Sequence, residues 1–460
     1  MDAETFDLAI VGAGPAGLAA AVEARAWGLS VVLLDEQPAA GGQIYRGVTQ
    51  ANTRRMSVLG QDYTAGQNLT HAFERCGALH INQAAVWNVG RDMQINYLRE
   101  GADRVVRARH IILASGAMER PFPIPGWTLP GVMGAGAAQI LYKNAGALPC
   151  EPVVMAGCGP LLYLLANQYL KAGVTIKAIV HTTRRSDYLK SARHFRGALG
   201  GWRELRKGMQ MLAQLRHHGV AVYAGAQALA VEGQERAQAL CFKHKGRAHR
   251  IESSLILLHQ GVVPNTQFSW ALRARHMWSE SQLCWLPETT ESGQIENTHI
   301  YLAGDSRGIV GAKASATQGR LCALDVAANL HGTDGRDYEA RRQTLQNELR
   351  KQISVRLFLE TLYRPPLAQR VPEDDSVIVC RCEEVTAGQI RQYTAVGCQG
   401  PNQTKAFGRC GMGPCQGRLC GLTVTEMIAK ERGVTPAEVG YYRVRPPIKP
   451  VTIGELSAGD

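Results

Sequence analysis

The fold is decided by residues 7–17, Asp7-Leu-Ala-Ile-Val-Gly12-Ala-Gly14-Pro-Ala-Gly17, where an apolar strand runs directly into a Gly-x-Gly-x-x-Gly turn. The small residues that follow predict a helix over Leu18 to Trp27, and Ser30 to Leu34 predict a second strand. Strand, glycine turn, helix and strand in this order predict a β-α-β unit that binds a dinucleotide.

Each glycine of the turn has its own physical task. Gly12 permits the tight turn, Gly14 lets the backbone approach a pyrophosphate, and Gly17 allows the helix to pack closely on the strand. The N-terminus of the helix supplies partial positive charge to the phosphates. The second strand ends at Asp35, whose carboxylate can accept hydrogen bonds from ribose hydroxyls.

Three later segments indicate which dinucleotide binds. Gly41-Gly42-Gln43, Ala114-Ser115-Gly116 and Ala303-Gly304-Asp305 match, in order and spacing, the pattern of flavoproteins with two dinucleotide-binding domains. In those proteins the aspartate at this last position hydrogen-bonds the ribityl chain, and the next helix, here about 311–323, runs beneath the flavin. We therefore predict FAD. The predicted binding residues are Gly12, Gly14, Pro15, Ala16, Gly17, Asp35, Glu36, Gly42, Gln43, Ser115, Gly116, Gly304, Asp305, Gly311 and Ala312.

A second β-α-β unit carries the turn Gly157-Cys-Gly159-Pro-Leu-Leu162, in which leucine replaces the third glycine. Its second strand ends at Val180-His181, so no carboxylate is placed to bind a ribose, and NADH binding is not favoured. Either the unit is a scaffold without a ligand, or basic residues after the strand bind a phosphate of ATP or NADP. The candidate residues of this second site are Gly157, Gly159, Pro160, Arg184 and Arg185.

The C-terminal cysteines form a pattern suited to a metal. Cys380 and Cys382 make a C-x-C pair, and Cys415 and Cys420 make a C-x4-C pair. Four thiolates suit a [2Fe–2S] cluster, in which each iron takes two sulfurs. Zinc is the alternative, although its sites usually contain C-x2-4-C pairs. Cys410 and Cys415 also make a C-x4-C pair, so these residues alone leave the second pair open.

The other cysteines, including Cys398 and Cys410, are expected to pack as small apolar side chains. No C-x4-C pair follows residues 41–44, and no C-x-x-C pair occurs in the middle of the chain, so thiol–disulfide exchange is not expected.

Composition narrows the class of protein. The 460 residues are 45% apolar and 20% charged, which suits two or three packed domains. The cysteines are few and no secretory signal precedes the first strand, so we expect a cytoplasmic protein, with peripheral contact at the inner membrane as an option. The net charge of +12 is spread without aromatic clusters, which does not favour nucleic-acid binding. No stretch approaches the roughly 20 apolar residues of a membrane span.

The motifs predict an α/β fold with six segments. These are residues 1–125, the first part of an FAD-binding domain; 126–285, a middle domain resembling NAD(P)-binding domains; 286–335, the return to the first domain; 336–375, a helical linker; 376–440, a small α-rich [2Fe–2S] domain; and 441–460, an extended tail. The densest basic stretch, 184–218, is either a solvated helical face or an interface with an acidic partner or an anionic membrane.

Cys380-Arg-Cys382-Glu-Glu-Val-Thr386 and Gly411-Met-Gly-Pro-Cys415-Gln-Gly-Arg-Leu-Cys420 resemble the domain related to bacterioferritin-associated ferredoxin. With both glycine motifs and the loop Gly126-Trp-Thr-Leu-Pro-Gly-Val132, nearly the whole chain resembles the FAD and [2Fe–2S] subunit of bacterial heteromeric amine dehydrogenases. Opine oxidases, D-hydroxyproline dehydrogenase and hydrogen cyanide synthase contain such subunits.

The resemblance implies Cys415 and Cys420 as the third and fourth cluster ligands. It also implies a partner flavoprotein β subunit that oxidises a C–N bond, optionally a small γ subunit, and electron relay from this chain to a respiratory acceptor. No catalytic acid or base is assigned. The alternatives are a cyanide synthase subunit oxidising glycine, a self-sufficient NAD(P)H-dependent reductase with Arg184 and Arg185 at the phosphate, and a zinc-stabilised scaffold with a structural FAD.

Overall fold

Two parallel β-sheets covered by helices form the body of the protein, and a small helical domain follows them. The structure, a computed structural model, describes residues 5–332 and 335–458. The first elements are β1 (Thr5–Val11), α1 (Pro15–Ala26), β2 (Val31–Leu34), α2 (Thr53–Leu59), α3 (Gln61–Thr64), α4 (Gly66–Arg75), β3 (Leu79–Ile81), β4 (Ala85–Val89), β5 (Gln94–Arg99), β6 (Ala102–Leu113) and β7 (Ala117–Glu119).

The middle elements and the return to the first sheet follow in chain order. The middle elements are β8 (Val132–Gly134), α5 (Ala135–Ala145), β9 (Val153–Cys158), α6 (Pro160–Ala172), β10 (Ile176–His181), α7 (Arg185–Ala192), α8 (Phe195–Gly200), α9 (Trp202–His217), β11 (Ala221–Ala224), β12 (Gln227–Gly233), β13 (Ala237–His244), β14 (Arg247–Glu252), β15 (Ile256–Gln260), β16 (Val262–Pro264) and α10 (Gln267–Ala271). The return comprises β17 (His276–Ser279), β18 (Cys284–Pro287), β19 (Ile300–Leu302), a 3-10 turn (Gly304–Ser306) and α11 (Ala312–His331).

The C-terminal part is mostly helical. Its elements are α12 (Arg336–Ile353), α13 (Arg356–Leu362), α14 (Leu367–Arg370), β20 (Ile378–Cys380), β21 (Val385–Thr386), α15 (Ala387–Ala395), α16 (Pro401–Gly408), α17 (Gly421–Arg432), α18 (Pro436–Val439) and α19 (Ile453–Ser457).

The first sheet has the strand order β3-β2-β1-β6-β5-β4, and β19 pairs in parallel with β6. Strand β6 pairs in parallel with β1 through its C-terminal half and antiparallel with β5 through its N-terminal half. Along β1, Leu8 and Ile10 face the side covered by α1 and α11, while Ala9 and Val11 face the other side. Burial on both faces explains the continuous apolar runs of these strands.

The second sheet is parallel, with the order β11-β10-β9-β15-β8, and an antiparallel sheet β12-β13-β14 stands beside it. Two dinucleotide-type sheets, with β19 returning to the first, confirm the predicted fold class. Helix α1 begins at Pro15, earlier than predicted, because proline is pre-organised for the first helical position.

The linker and tail differ in detail from the sequence-based expectation. The predicted helix 337–362 is two helices, interrupted at Ser354 and Val355, and a Cβ on Gly201 would lie 2.6 Å from Val355 Cβ. The hairpin β17–β18 straddles the predicted limit at 285, and the predicted domain limits stay predictions. The tail lies over the first domain, where Val444 and Ile448 join the core of the first sheet.

Helix α12 is attached to α1 by one ion pair. Arg341 donates to both carboxylate oxygens of Glu23, at 2.9 and 2.6 Å, and Glu23 is only 7% exposed. Replacing Arg341 with alanine leaves a buried carboxylate without its main partner, which costs about 1–3 kcal/mol. We expect R341A to lower the free energy of unfolding by that amount in urea titrations. R350A, which alters a cation on an exposed part of the same helix, is the control, and equal stability of both variants would contradict the prediction.

Candidate cofactor and metal sites

A cleft of about 890 Å³ opens where the carboxyl ends of β1, β2 and β6 meet. Parallel sheets of this kind bind ligands at that edge. The predicted residues that line it are Gly12, Gly14, Pro15, Ala16, Asp35, Glu36, Gly42, Gln43, Ser115, Gly116, Asp305, Gly311 and Ala312. Gly17 and Gly304 serve packing instead. A Cβ on Gly17 would overlap the carbonyl oxygen of Gly12, and one on Gly304 would lie 2.9 Å from Ala16 Cβ.

The glycine turn leaves space for a ligand against the backbone. Gly12 has φ of +107°, and a Cβ there would lie 2.5 Å from the carbonyl oxygen of Ala114. A Cβ on Gly42 would lie 2.6 Å from Gly14 Cα. Helix α1 has no side-chain cap at Gly14, so its first N–H groups remain available to phosphate oxygens.

Two aspartates fix the walls of the cleft. Asp35 accepts from the backbone N–H of Ala13 at 2.5 Å and of Gln37 at 2.7 Å, so its carboxylate also holds the glycine turn onto β2. Asp305 accepts from the backbone N–H groups of Val310 and Gly311 at 2.8 and 3.0 Å. Both aspartates remain in the lining of the cleft, where a ligand hydroxyl can reach them.

Several cleft residues were not predicted from the sequence. Asn265 Oδ1 and Gln267 Oε1 are buried in the cleft wall without a hydrogen-bond partner among the described residues, as expected of atoms that bind a polar ligand. Lys143 donates to the carbonyl oxygen of Gln43 at 3.1 Å, and burial, with repulsion from Arg46, lowers its pKa to about 7. The glycine cradle, the uncapped helix and these polar atoms fit FAD.

Glu119 and His259 also meet at the cleft, although they are far apart in sequence. Glu119 Oε1 lies 2.7 Å from His259 Nδ1, and the carboxylate accepts from the backbone N–H of Gly136 at the start of α5. A carboxylate at a helix N-terminus is stabilised by the helix dipole. These contacts give the pair a role in holding α5 against β15.

The second glycine motif is covered by the chain itself. None of the predicted residues Gly157, Gly159, Pro160, Arg184 and Arg185 lines the main cleft, and both arginines are exposed. Cys158, inside the motif, donates its thiol hydrogen to the carbonyl oxygen of Tyr363 at 3.4 Å. Helix α13, which precedes Tyr363, packs on α7. A Cβ on Gly159 would lie 3.1 Å from His259 Nε2.

Five cysteines surround the candidate metal centre. The sulfur atoms of Cys380, Cys410 and Cys420 all lie within 4.8 Å of one another and are buried. The thiols of Cys382 and Cys415 form a second hydrogen-bonded pair. The structure therefore brings the predicted ligands into two groups, Cys380 with Cys420 and Cys382 with Cys415, and adds Cys410, which the sequence analysis took for a packing residue.

The donor set fits an iron–sulfur cluster, because thiolates are its usual ligands and two thiol groups are available for two irons. Hydrogen bonds from the thiols of Cys410 and Cys420 hold the pKa of Cys380 far below its usual range, which favours the metal-binding thiolate. Cys410 is distinguished by a further partner, since Tyr442 Oη donates to its sulfur at 3.3 Å.

A second cavity, of about 430 Å³, joins the metal centre to the cofactor cleft. Its lining includes Cys415 from the metal centre and Glu36 from the end of β2. Arg418 and Lys449 line this cavity and the main cleft as well. The metal centre therefore lies beside the end of the cleft marked by Asp35 and Glu36, where such folds place the ribose of the dinucleotide.

Comparison with known proteins agrees with this geometry. The sequence profile of the pyridine nucleotide-disulphide oxidoreductases matches residues 6–319. The chain belongs to this family. Residues 375–460 match the sarcosine oxidase A3 domain. The family assignment makes the chain an oxidoreductase and confirms FAD as the expected cofactor of the cleft, while the individual binding residues stay predictions.

Relatives of this oxidoreductase cover nearly its whole length. An opine oxidase subunit of Rhizobium meliloti is 43% identical over 99% of this chain and 88% of its own length. Hydrogen cyanide synthase subunit HcnB of Pseudomonas protegens is 30% identical over 98% of this chain and 97% of its own. The crystal structure of L-proline dehydrogenase from P. horikoshii has a TM-score of 0.72 at 18% identity, covering 98% of this chain and 79% of that one, which shows the same fold. These matches confirm the predicted resemblance.

Among the residues that the structure describes, no helix has the length and apolarity required to cross a membrane.

Proposed function

We propose that this oxidoreductase is the FAD- and [2Fe–2S]-containing electron-transfer subunit of a heteromeric opine or amino-acid dehydrogenase. The observation that carries the proposal is the placement of a thiol centre directly beside an FAD-type cleft, with Cys415 and Glu36 lining one cavity. The 43% identity to an opine oxidase subunit over nearly the whole chain supports it. A flavin accepts two electrons at once and can pass them singly to an iron–sulfur cluster.

For the cluster, we propose Cys380 and Cys420 as ligands of one iron and Cys382 and Cys415 as ligands of the other. The two groups of thiols support this assignment. Cys410 is then a fifth sulfur, held by Tyr442 beside the first pair. The role of the chain is to hold these thiols at fixed spacing, with three of the five buried.

The second glycine motif supports a dehydrogenase subunit rather than a self-sufficient reductase. Tyr363 and α13 lie over the motif, and the carbonyl oxygen of Tyr363 accepts from Cys158 inside the turn. A pyridine nucleotide would have to displace this segment. The prediction that ATP or NAD(P) binds near Arg184 and Arg185 has no support from these contacts.

We propose that substrate oxidation takes place on a partner flavoprotein β subunit, because no acid–base group is assigned in this chain. A respiratory acceptor and a γ subunit would complete the electron path. A peripheral position at the inner face of the membrane is supported by exposed apolar side chains on α7–α9, Leu189, Trp202 and Met209, which stand among basic residues.

Anaerobic visible spectroscopy tests the proposed function. The chain alone and its complex with a co-expressed partner are titrated with NADH, a panel of opines and D-hydroxyproline. We expect bleaching of the flavin and cluster absorption only in the complex and only with an amine substrate. Bleaching of the isolated chain by NADH would contradict the proposal and support a reductase, and bleaching by glycine would support a cyanide synthase subunit.

A further inference from the structure

Arg418 lies between two proposed cluster ligands, Cys415 and Cys420, yet its side chain lines the cofactor cleft. Its Nη2 donates to the carbonyl oxygen of Ile448 at 3.0 Å. Its Nε is buried and has no hydrogen-bond partner among the described residues. A buried guanidinium nitrogen without an acceptor is costly, so its position at a cavity wall indicates a missing ligand.

The tail holds Arg418 in this position. The backbone N–H of Ile448 donates to the carbonyl oxygen of Trp87 at 3.0 Å, which ties the tail to β4 of the first sheet. Lys449 Nζ then pairs with Glu36 Oε2 at 2.6 Å. The carbonyl oxygen that accepts from Arg418 is therefore fixed to the FAD-type domain, and it directs the guanidinium toward the end of the cleft at Asp35 and Glu36.

We infer that Arg418 is a binding residue for the adenosine half of the dinucleotide, and that it couples the metal centre to cofactor retention. The end of β2 places the ribose and adenine next to Arg418. A guanidinium can donate to ribose and ring-nitrogen acceptors and can stack on a planar base. The glycine motif and the pattern around Asp305 contain no counterpart of this residue, because it comes from the C-terminal domain.

The coupling follows from the position of Arg418 in the chain, and it rests on the proposed ligand set. A metal bound by Cys415 and Cys420 fixes both ends of the short segment that carries the arginine. Without metal the segment can adopt more conformations, and the arginine must be ordered when the dinucleotide binds, which weakens binding. By thermodynamic linkage, bound dinucleotide must in turn favour the metal-bound form of the segment.

The release of FAD from the holoprotein tests the inference. After dilution, the rise of flavin fluorescence gives the release rate for the wild type, R418A and R418K. We expect R418A to release FAD about tenfold faster, the effect of losing one charge-assisted hydrogen bond, with R418K in between. R432A is the matched control, because Arg432 lies on the same domain, donates to the carbonyl oxygen of Gln399 and lines neither cavity.

Removal of iron by a chelator tests the coupling. In the wild type, we expect iron removal to speed FAD release by a factor similar to that of R418A, with little further effect in R418A itself, since both changes remove one interaction. A release rate of R418A within twofold of the wild type would overturn the binding role. Equal acceleration by the chelator in both proteins would overturn the coupling. Neither result depends on substrate oxidation, so failure of the proposed function is a separate outcome.

Discussion

Replacement of Cys420 with serine is expected to abolish iron binding by the C-terminal domain. Cys420 is 1% exposed, and its sulfur lies within 4.8 Å of the sulfurs of Cys380 and Cys410. Serine is a poor ligand for iron in a sulfur cluster, because soft thiolates are the preferred donors. Iron and sulfide analysis, together with the visible absorption of the cluster, measures the effect. We expect less than a tenth of the wild-type iron in C420S.

Two other cysteines of the same domain separate metal binding from packing. Cys398 is buried, donates to the carbonyl oxygen of Gly400 and belongs to neither thiol group, so C398S should retain iron. C410S should also retain iron, because four proposed ligands remain. Loss of iron in C410S, with retention in C415S, would contradict the proposed ligand set and move the fourth ligand to Cys410.

The sequence predicts the local parts of the cofactor site because their geometry is encoded within a few residues. The turn from Gly12 to Gly17 needs glycines for reasons that concern its own backbone and the adjacent strand. Asp305 likewise binds N–H groups five and six residues further along the chain. Patterns of this kind carry their own physical explanation, and the structure places them in one cleft.

The rest of the site depends on contacts between distant segments. Arg418 reaches the cleft only because the tail folds back over the first sheet, and no local pattern marks that arginine. Glu119 and His259 are a similar case. The covering of the second motif by Tyr363 depends on the docking of the linker, so the sequence left a vestigial unit and an ATP or NADP site equally open.

The cysteines show the same division between local and distant information. Spacing predicts a metal centre, but Cys410 and Cys420 each stand five residues from Cys415, so spacing cannot separate them. In the structure both approach Cys380, and the difference lies in a residue of the tail, since Tyr442 donates to Cys410.

Replacement of Gly17 with alanine is expected to abolish FAD binding and destabilise the first domain. The new Cβ would overlap the carbonyl oxygen of Gly12 and lie 3.2 Å from Ile10 Cγ2. Helix α1 would have to move away from β1, at a cost of about 1–3 kcal/mol or more, because a backbone atom cannot rotate away as a side chain can. Thermal unfolding and the ratio of FAD to protein after gel filtration measure both effects.

Two other glycines make this last prediction specific. G14A should reduce FAD content with little change in thermal stability, because Gly14 faces the cleft and a Cβ there meets only Gly42 Cα at 3.9 Å. G208A, in α9 where a Cβ meets nothing within 4 Å, should be stabilised by about 0.5–1 kcal/mol. If G17A kept both its FAD and its melting temperature, α1 would not pack on β1 as described. The close approach of helix to strand at Gly17 is thus the physical condition on which the whole cofactor cleft depends.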